Sequence, residues 1–91
     1  MNENVIAQYK EEENVMISLF AQWCVNHNLD AAQLYNKAYP LQQDNELLLS
    51  IIEITEKNSL HVDTETLMQV LQLFGNDDLA IEVFQAAENR K

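Results

Sequence analysis

The sequence predicts an all-α fold: a compact bundle of about five short helices in a single domain. Gly and Pro occur once each in 91 residues, whereas all-β sandwiches and barrels need many Gly/Pro-rich turns. Apolar residues make up 47% of the chain, which is too many for a disordered or low-complexity protein. These apolar residues recur at three- and four-residue steps between helix-capping signals, as they do in amphipathic helices.

The first helix is predicted over about 4–27. Its apolar residues recur at helical spacing, and they are Val5, Tyr9, Met16, Leu19, Phe20 and Trp23. Glu12, within the acidic run 11–13, falls on this apolar face, so we expect the helix to bend, fray or begin there. At the other end, Asn26 and His27 are expected to bond the last free carbonyls of the helix.

The second helix is predicted over 31–38. Asp30 is a good N-cap, and Gln33 three residues later completes a capping-box pattern. The helix should end before Tyr39, because the residue before Pro40 disfavours the α region.

The remaining three helices are predicted over about 45–57, 64–74 and 77–89. Each begins after a polar residue that can act as an N-cap. Gly75 follows the fourth helix, where we expect a positive φ. The predicted caps are Asp44 for the third helix, Asp63 or Thr64 for the fourth, and Asn76 or Asp77 for the fifth.

The third and fourth helices are apolar over more of their circumference than a surface helix needs. We therefore expect them to form a central pair that the other three helices surround. The alternative is that part of this surface forms a homodimer or partner interface. The residues that such an interface would use, and that would otherwise be core, are Leu47, Leu48, Ile52, Leu67, Leu71 and Phe74.

The chain is strongly acidic. Fifteen Asp and Glu against five Lys and Arg give a formal net charge of -10. Nucleic acids and anionic lipids are bound mainly through Lys and Arg, so we expect neither direct nucleic-acid binding nor membrane binding. The cations form no basic stripe, and they are Lys10, Lys37, Lys57, Arg90 and Lys91. The charge favours binding to a basic protein partner, and the alternative function is that of a nucleic-acid mimic or an antitoxin-like inhibitor of such a partner.

The sequence offers little support for catalysis. Cys24 and His27 share a helical face, and His61 could approach them to form a weak metal or redox site. A structural zinc site needs four ligands, and a reactive cysteine favours a helix N-terminus, whereas Cys24 lies near a C-terminus. We therefore predict no catalytic residue, no metal and no cofactor. Tyr35 and Tyr39 share a face and could anchor a partner.

The cysteine count, the N-terminal segment and the composition indicate the compartment and the function. A single cysteine fits a reducing cytosol, and the acidic N-terminal segment does not resemble a signal peptide. The sequence is rich in Asn and Gln and uses Lys more often than Arg, which points to a bacterial protein. We predict a non-enzymatic cytoplasmic module for protein–protein interaction or regulation, with a partner that the sequence does not identify and homodimerisation as an alternative.

Overall fold

The computed structural model describes residues 2–42 and 45–89, with side chains described from Asn14 onward. This part of the chain contains helices and no strand, which confirms the all-α prediction. The helices are α1 (Asn2–Asn26), α2 (Ala31–Ala38), α3 (Glu46–Ile54), α4 (Thr64–Leu73) and α5 (Asp77–Asn89). None of the helices in this part is long and apolar enough to cross a membrane.

The centre of the bundle is α1, and the expected central pair of α3 and α4 is wrong. The second half of α1 contacts the core through one broad face, and α1 packs against α2, α3 and α4. Within the described ranges α3 and α4 make no contact with each other, while α5 packs on α2 and α4. Phe20 and Trp23 of α1 are almost completely buried, and the indole N–H of Trp23 donates to the Thr64 hydroxyl of α4 at 2.9 Å.

The core draws on every helix. Six of its residues come from α1, because the spacing of apolar residues there continues unbroken from Met16 to Cys24. The core residues are Met16, Ile17, Phe20, Ala21, Trp23, Cys24, Ala31, Leu34, Leu48, Val62, Leu67, Leu71, Leu79, Ala80 and Val83. Val62 alone comes from a loop, and it holds the start of α4 against the bundle.

For α2, α3 and α4, the N-caps agree with the sequence in two cases out of three, and α5 begins at Asp77, directly after Asn76. Asp30 caps α2, and one of its carboxylate oxygens accepts a hydrogen bond from the Gln33 backbone N–H at 3.1 Å. Asp63 occupies the N-cap position of α4 without making a side-chain cap bond. The prediction for α3 is displaced by one residue: Asn45 caps it, and its side chain accepts from the Leu48 N–H at 3.1 Å. Asp44 lies outside the described residues.

Two helices end in the same way, with a residue in the left-handed region. The positive φ predicted for Gly75 is confirmed at 76°, and Asn28 after α1 has a φ of 60°. In each case the N–H of the next residue donates to the carbonyl five residues earlier, from Leu29 to Cys24 and from Asn76 to Leu71. This Schellman pattern satisfies carbonyls that the helix leaves without a partner.

Helix α3 ends at Ile54, three residues before the predicted end at 57. Thr55 has extended backbone angles, with φ −88° and ψ 120°, and its hydroxyl donates to the Ile51 carbonyl at 2.6 Å. Beyond it, the Glu56 carbonyl accepts from the Gln22 side chain of α1 at 2.9 Å. Helical propensity alone would continue α3, but the extended backbone of Thr55 ends it, and the bond from Gln22 holds the next residue against α1.

Candidate functional site

The six predicted interface residues divide between the core and the surface. Leu48, Leu67 and Leu71 are at most 1% exposed, so they are core residues of the folded chain. Leu47 and Ile52 are half-buried and pack against that core. Phe74, at the C-cap of α4, keeps 38% of its surface exposed. Because α3 and α4 do not touch, these residues do not form one continuous surface.

The Cys24 thiol is buried among apolar residues. Burial raises its pKa well above the ordinary range, and the negative charge of Asp30 adds to the effect. His27 lies half-buried against Trp23 with ring centroids 4.9 Å apart, and His61 is exposed in the loop before α4. No cluster of three His, Cys, Asp or Glu side chains that could hold a metal occurs in the part of the chain described. A protonated buried thiol is a poor nucleophile and a poor metal ligand.

A polar cluster that the sequence did not indicate holds the α3–α4 loop (residues 55–63) to α1. The Gln22 side chain is 8% exposed, and it donates to the Glu56 carbonyl and accepts from the Ser59 hydroxyl, at 2.9 and 3.0 Å. Asn26 donates to the Leu60 carbonyl at 2.8 Å and accepts from the Asn58 N–H at 2.6 Å. The expectation that Asn26 caps its own helix is therefore wrong, since its side chain binds the α3–α4 loop.

An apolar groove lies between α1, α3 and the α3–α4 loop, and we call it the α1–α3 groove. Its volume is about 400 Å³. Three large aliphatic residues line it while remaining well exposed: Val15 at 55%, Ile54 at 80% and Leu60 at 55%. The full lining is Asn14, Val15, Ser18, Leu19, Gln22, Ile51, Ile54, Thr55, Ser59 and Leu60, none of which is charged.

A second groove of about 750 Å³ lies between α4 and α5, and we call it the α4–α5 groove. It has an apolar floor and carboxylates at one end. Its lining residues are Asp63, Thr64, Glu65, Met68, Gln69, Gln72, Phe84, Ala87 and Glu88. It shares no residue with the α1–α3 groove, so the two surfaces can be altered independently.

The two tyrosines considered as partner anchors bind other parts of the chain. Their rings share a face as predicted, with centroids 5.0 Å apart. The Tyr39 hydroxyl donates to the Asn76 side chain at 2.6 Å, and the Tyr35 hydroxyl accepts from Asn45 at 3.2 Å. Burial raises the pKa of Tyr39, and the neighbouring Tyr35 and acidic residues of α5 add to this. Both tyrosines therefore join α2 to its neighbours.

No group of acidic residues that could hold a metal ion occurs in the described part of the chain. Asp77 and Asp78 occupy the first turn of α5, where they favour the positive end of the helix dipole. Helix α1 runs unbroken past Glu12, so the expectation that the helix could begin there is wrong, and the Glu12 side chain lies outside the described residues. Sequence reasoning did not identify Val15, Ile54 and Leu60 as residues of a surface groove. Helical spacing alone indicates neither the path of the α3–α4 loop nor the packing of α3 on α1.

The described helices form a small all-α bundle with open grooves on its surface. Comparison with known proteins places it more narrowly. A model of the YxiS family matches residues 1–88, and the chain belongs to that family. It is 43% identical over 95 residues to the Bacillus subtilis protein called uncharacterized protein YxiS, with all of this chain and 99% of the relative covered. The relative is bacterial, in line with the predicted origin. No solved structure matches the chain.

Proposed function

We propose that this protein is a non-enzymatic cytoplasmic module that binds another protein, and that the α1–α3 groove receives an apolar segment of that partner. One observation supports this most strongly. Val15, Ile54 and Leu60 come from three separate elements and converge on one groove with half or more of each side chain exposed. Single exposed apolar side chains are ordinary, but a contiguous set rimmed by polar groups is typical of an interaction site.

The groove is preorganised by the polar cluster beneath the α3–α4 loop. The hydrogen bonds from Gln22 and Asn26 hold this loop, and with it Leu60, against α1. A surface that is already ordered loses less conformational entropy when a partner binds. The hydrogen bonds therefore support affinity as well as folding.

The partner is a different protein rather than a second copy. Each chain carries a formal net charge of -10, and two such chains repel each other. The groove itself is lined by uncharged residues, so its contribution comes from apolar burial. Binding through apolar burial changes little with salt, whereas binding through exposed charges weakens as salt is added.

The non-enzymatic part of the proposal rests on the state of the reactive groups. Cys24, which has the most nucleophilic side chain in the chain, is fully buried with a raised pKa. Its burial as a free thiol also fits a reducing compartment. The cytoplasmic location in this proposal depends on that fit.

The test is capture of a partner from bacterial cytosol by the tagged full-length chain, washed at low and at high salt. Ile54→Ser should abolish capture of a partner that survives high salt. The matched control is Ile81→Ser, which changes a half-exposed isoleucine of α5 outside both grooves, and it should capture normally. A partner that is released by salt and is retained by Ile54→Ser would contradict the proposal and favour nucleic-acid mimicry.

A further inference from the structure

The α4–α5 groove combines an apolar floor with charge at one end. Phe84 is 49% exposed, and it lines the groove together with the half-buried Met68 and Ala87. The turn between the two helices reverses the chain, so the start of α4 lies beside the end of α5. Asp63 and Glu65 from the first of these ends and Glu88 from the second therefore gather at the same end of the groove.

Asp63 retains a carboxylate that its own helix does not use. It occupies the N-cap position of α4, where a carboxylate ordinarily accepts a backbone N–H, but its side chain makes no cap hydrogen bond. Asp30 at the equivalent position of α2 does make one. The negative pole at the end of α5 is offset by the positive pole at the start of α4, so the charge at this end of the groove comes from its carboxylates.

The dimensions fit a helix. The α4 side of the groove runs from Asp63 to Gln72, which is about 14 Å along a helix axis, or roughly two and a half turns. A partner helix of that length would place apolar side chains at i, i+3/i+4 and i+7 on one face. The thioether of Met68 can adapt its shape to such anchors.

We infer that the α4–α5 groove binds a basic amphipathic helix of a partner protein, with its apolar face on Phe84 and Met68 and its cations at the acidic end. The charge of the groove selects this occupant, because an acidic helix or a second copy of this chain would bring like charges together. This site is separate from the one proposed above, since the two grooves share no residue.

The test uses two synthetic peptides of about 14 residues, a length at which helices begin to form in water. Both carry the same leucine pattern, with lysine at the polar positions of one and glutamate at those of the other. Binding to the full chain is measured by calorimetry, and the site is mapped by backbone amide chemical shifts. The lysine peptide should bind, with its largest shifts in α4 and α5, and the glutamate peptide should not.

Variants show whether the lysine peptide binds in the α4–α5 groove or is held only by general attraction to the acidic surface. Phe84→Ser should weaken binding of the lysine peptide about tenfold, whereas Ile81→Ser on the same helix should leave it unchanged. Glu65→Lys should weaken it similarly and reduce its salt dependence. Glu53→Lys makes the same charge change on the exposed face of α3 and should have little effect.

Three results would overturn the inference: binding of both peptides alike, shifts spread over the whole surface, or equal effects of Glu65→Lys and Glu53→Lys. Circular dichroism of each variant shows whether α4 and α5 are intact, and Phe84→Trp offers a second variant that retains an aromatic floor and should retain binding. The proposed function is tested by Ile54→Ser in the α1–α3 groove, whereas this inference is tested by Phe84→Ser and Glu65→Lys in the α4–α5 groove. Failure of one proposal therefore leaves the result for the other unchanged.

Discussion

At the residue scale, the most informative side chain is Gln22, the one buried polar residue among the side chains described. Burying an amide is unfavourable unless its donors and acceptor are bonded. Gln22 meets that condition through Asn26, the Glu56 carbonyl and Ser59. The sequence could not indicate this, because two of these partners lie more than 30 positions away and depend on how α3 packs on α1.

Gln22→Ala should lower the free energy of unfolding by about 1–3 kcal/mol, since it leaves the groups of the α3–α4 loop without partners. Gln69→Ala makes the same change at an exposed helical position and should stay within about 0.5 kcal/mol of the parent chain. Urea unfolding of both variants measures the difference. Equal costs would show that the polar cluster does not stabilise the fold.

We expect the burial of Cys24 to make the free energy of unfolding depend on pH. Burial raises the pKa of its thiol in the folded chain, so the folded chain keeps a proton that the unfolded chain loses near pH 8.5. The contribution of the Cys24 thiol to the free energy of unfolding is fully present below that pH. It is lost as the pH rises above it, by up to about 1.4 kcal/mol per pH unit.

The measurement is urea unfolding of the parent chain and of Cys24→Ala between pH 7 and pH 9.5. The variant lacks the titrating group, so it should lose less stability over this range than the parent does. The raised pKa of Tyr39 acts at higher pH and is present in both chains, so it cancels in the comparison. Parallel curves would place the thiol in contact with water.

At the scale of elements, helix ends were predicted well where their signals are local. The N-cap at Asp30 and the positive φ at Gly75 depend on residues within one turn of the helix, and both are confirmed. The end of α3 was missed because Thr55 takes an extended backbone there and the residues after it bond to α1, and helical spacing indicates neither. The same limit explains the wrong pairing of α3 and α4, since an apolar helix face does not specify which other helix covers it.

The two aspartate N-caps should differ in their effect on stability. Asp30→Ala removes a bonded cap from α2 and should cost about 1 kcal/mol. Asp63→Ala removes a carboxylate that makes no cap bond, so only its weaker interaction with the helix dipole is lost, within about 0.5 kcal/mol. Thermal or urea unfolding of both variants tests this, and equal losses would mean that Asp63 also caps its helix in solution.

At the scale of the whole molecule, the fold places part of its exposed apolar surface in two separate grooves. The sequence correctly predicted the all-α fold and the five helices of the described residues. It could not predict that α1 would lie between α3 and α4 and that each would border a separate groove. Val15 and Leu60 were missed as surface residues for this reason, since their exposure is decided by packing rather than by spacing.

The central claim is that the α1–α3 groove binds a protein partner, and hydrogen–deuterium exchange of the chain alone and of the captured complex tests it most directly. Partner binding should slow exchange of backbone amides in residues 14–22 and 51–60, which border the groove, and leave α2 unchanged. Protection confined to other helices, or exchange identical in the free and captured chain, would contradict the claim.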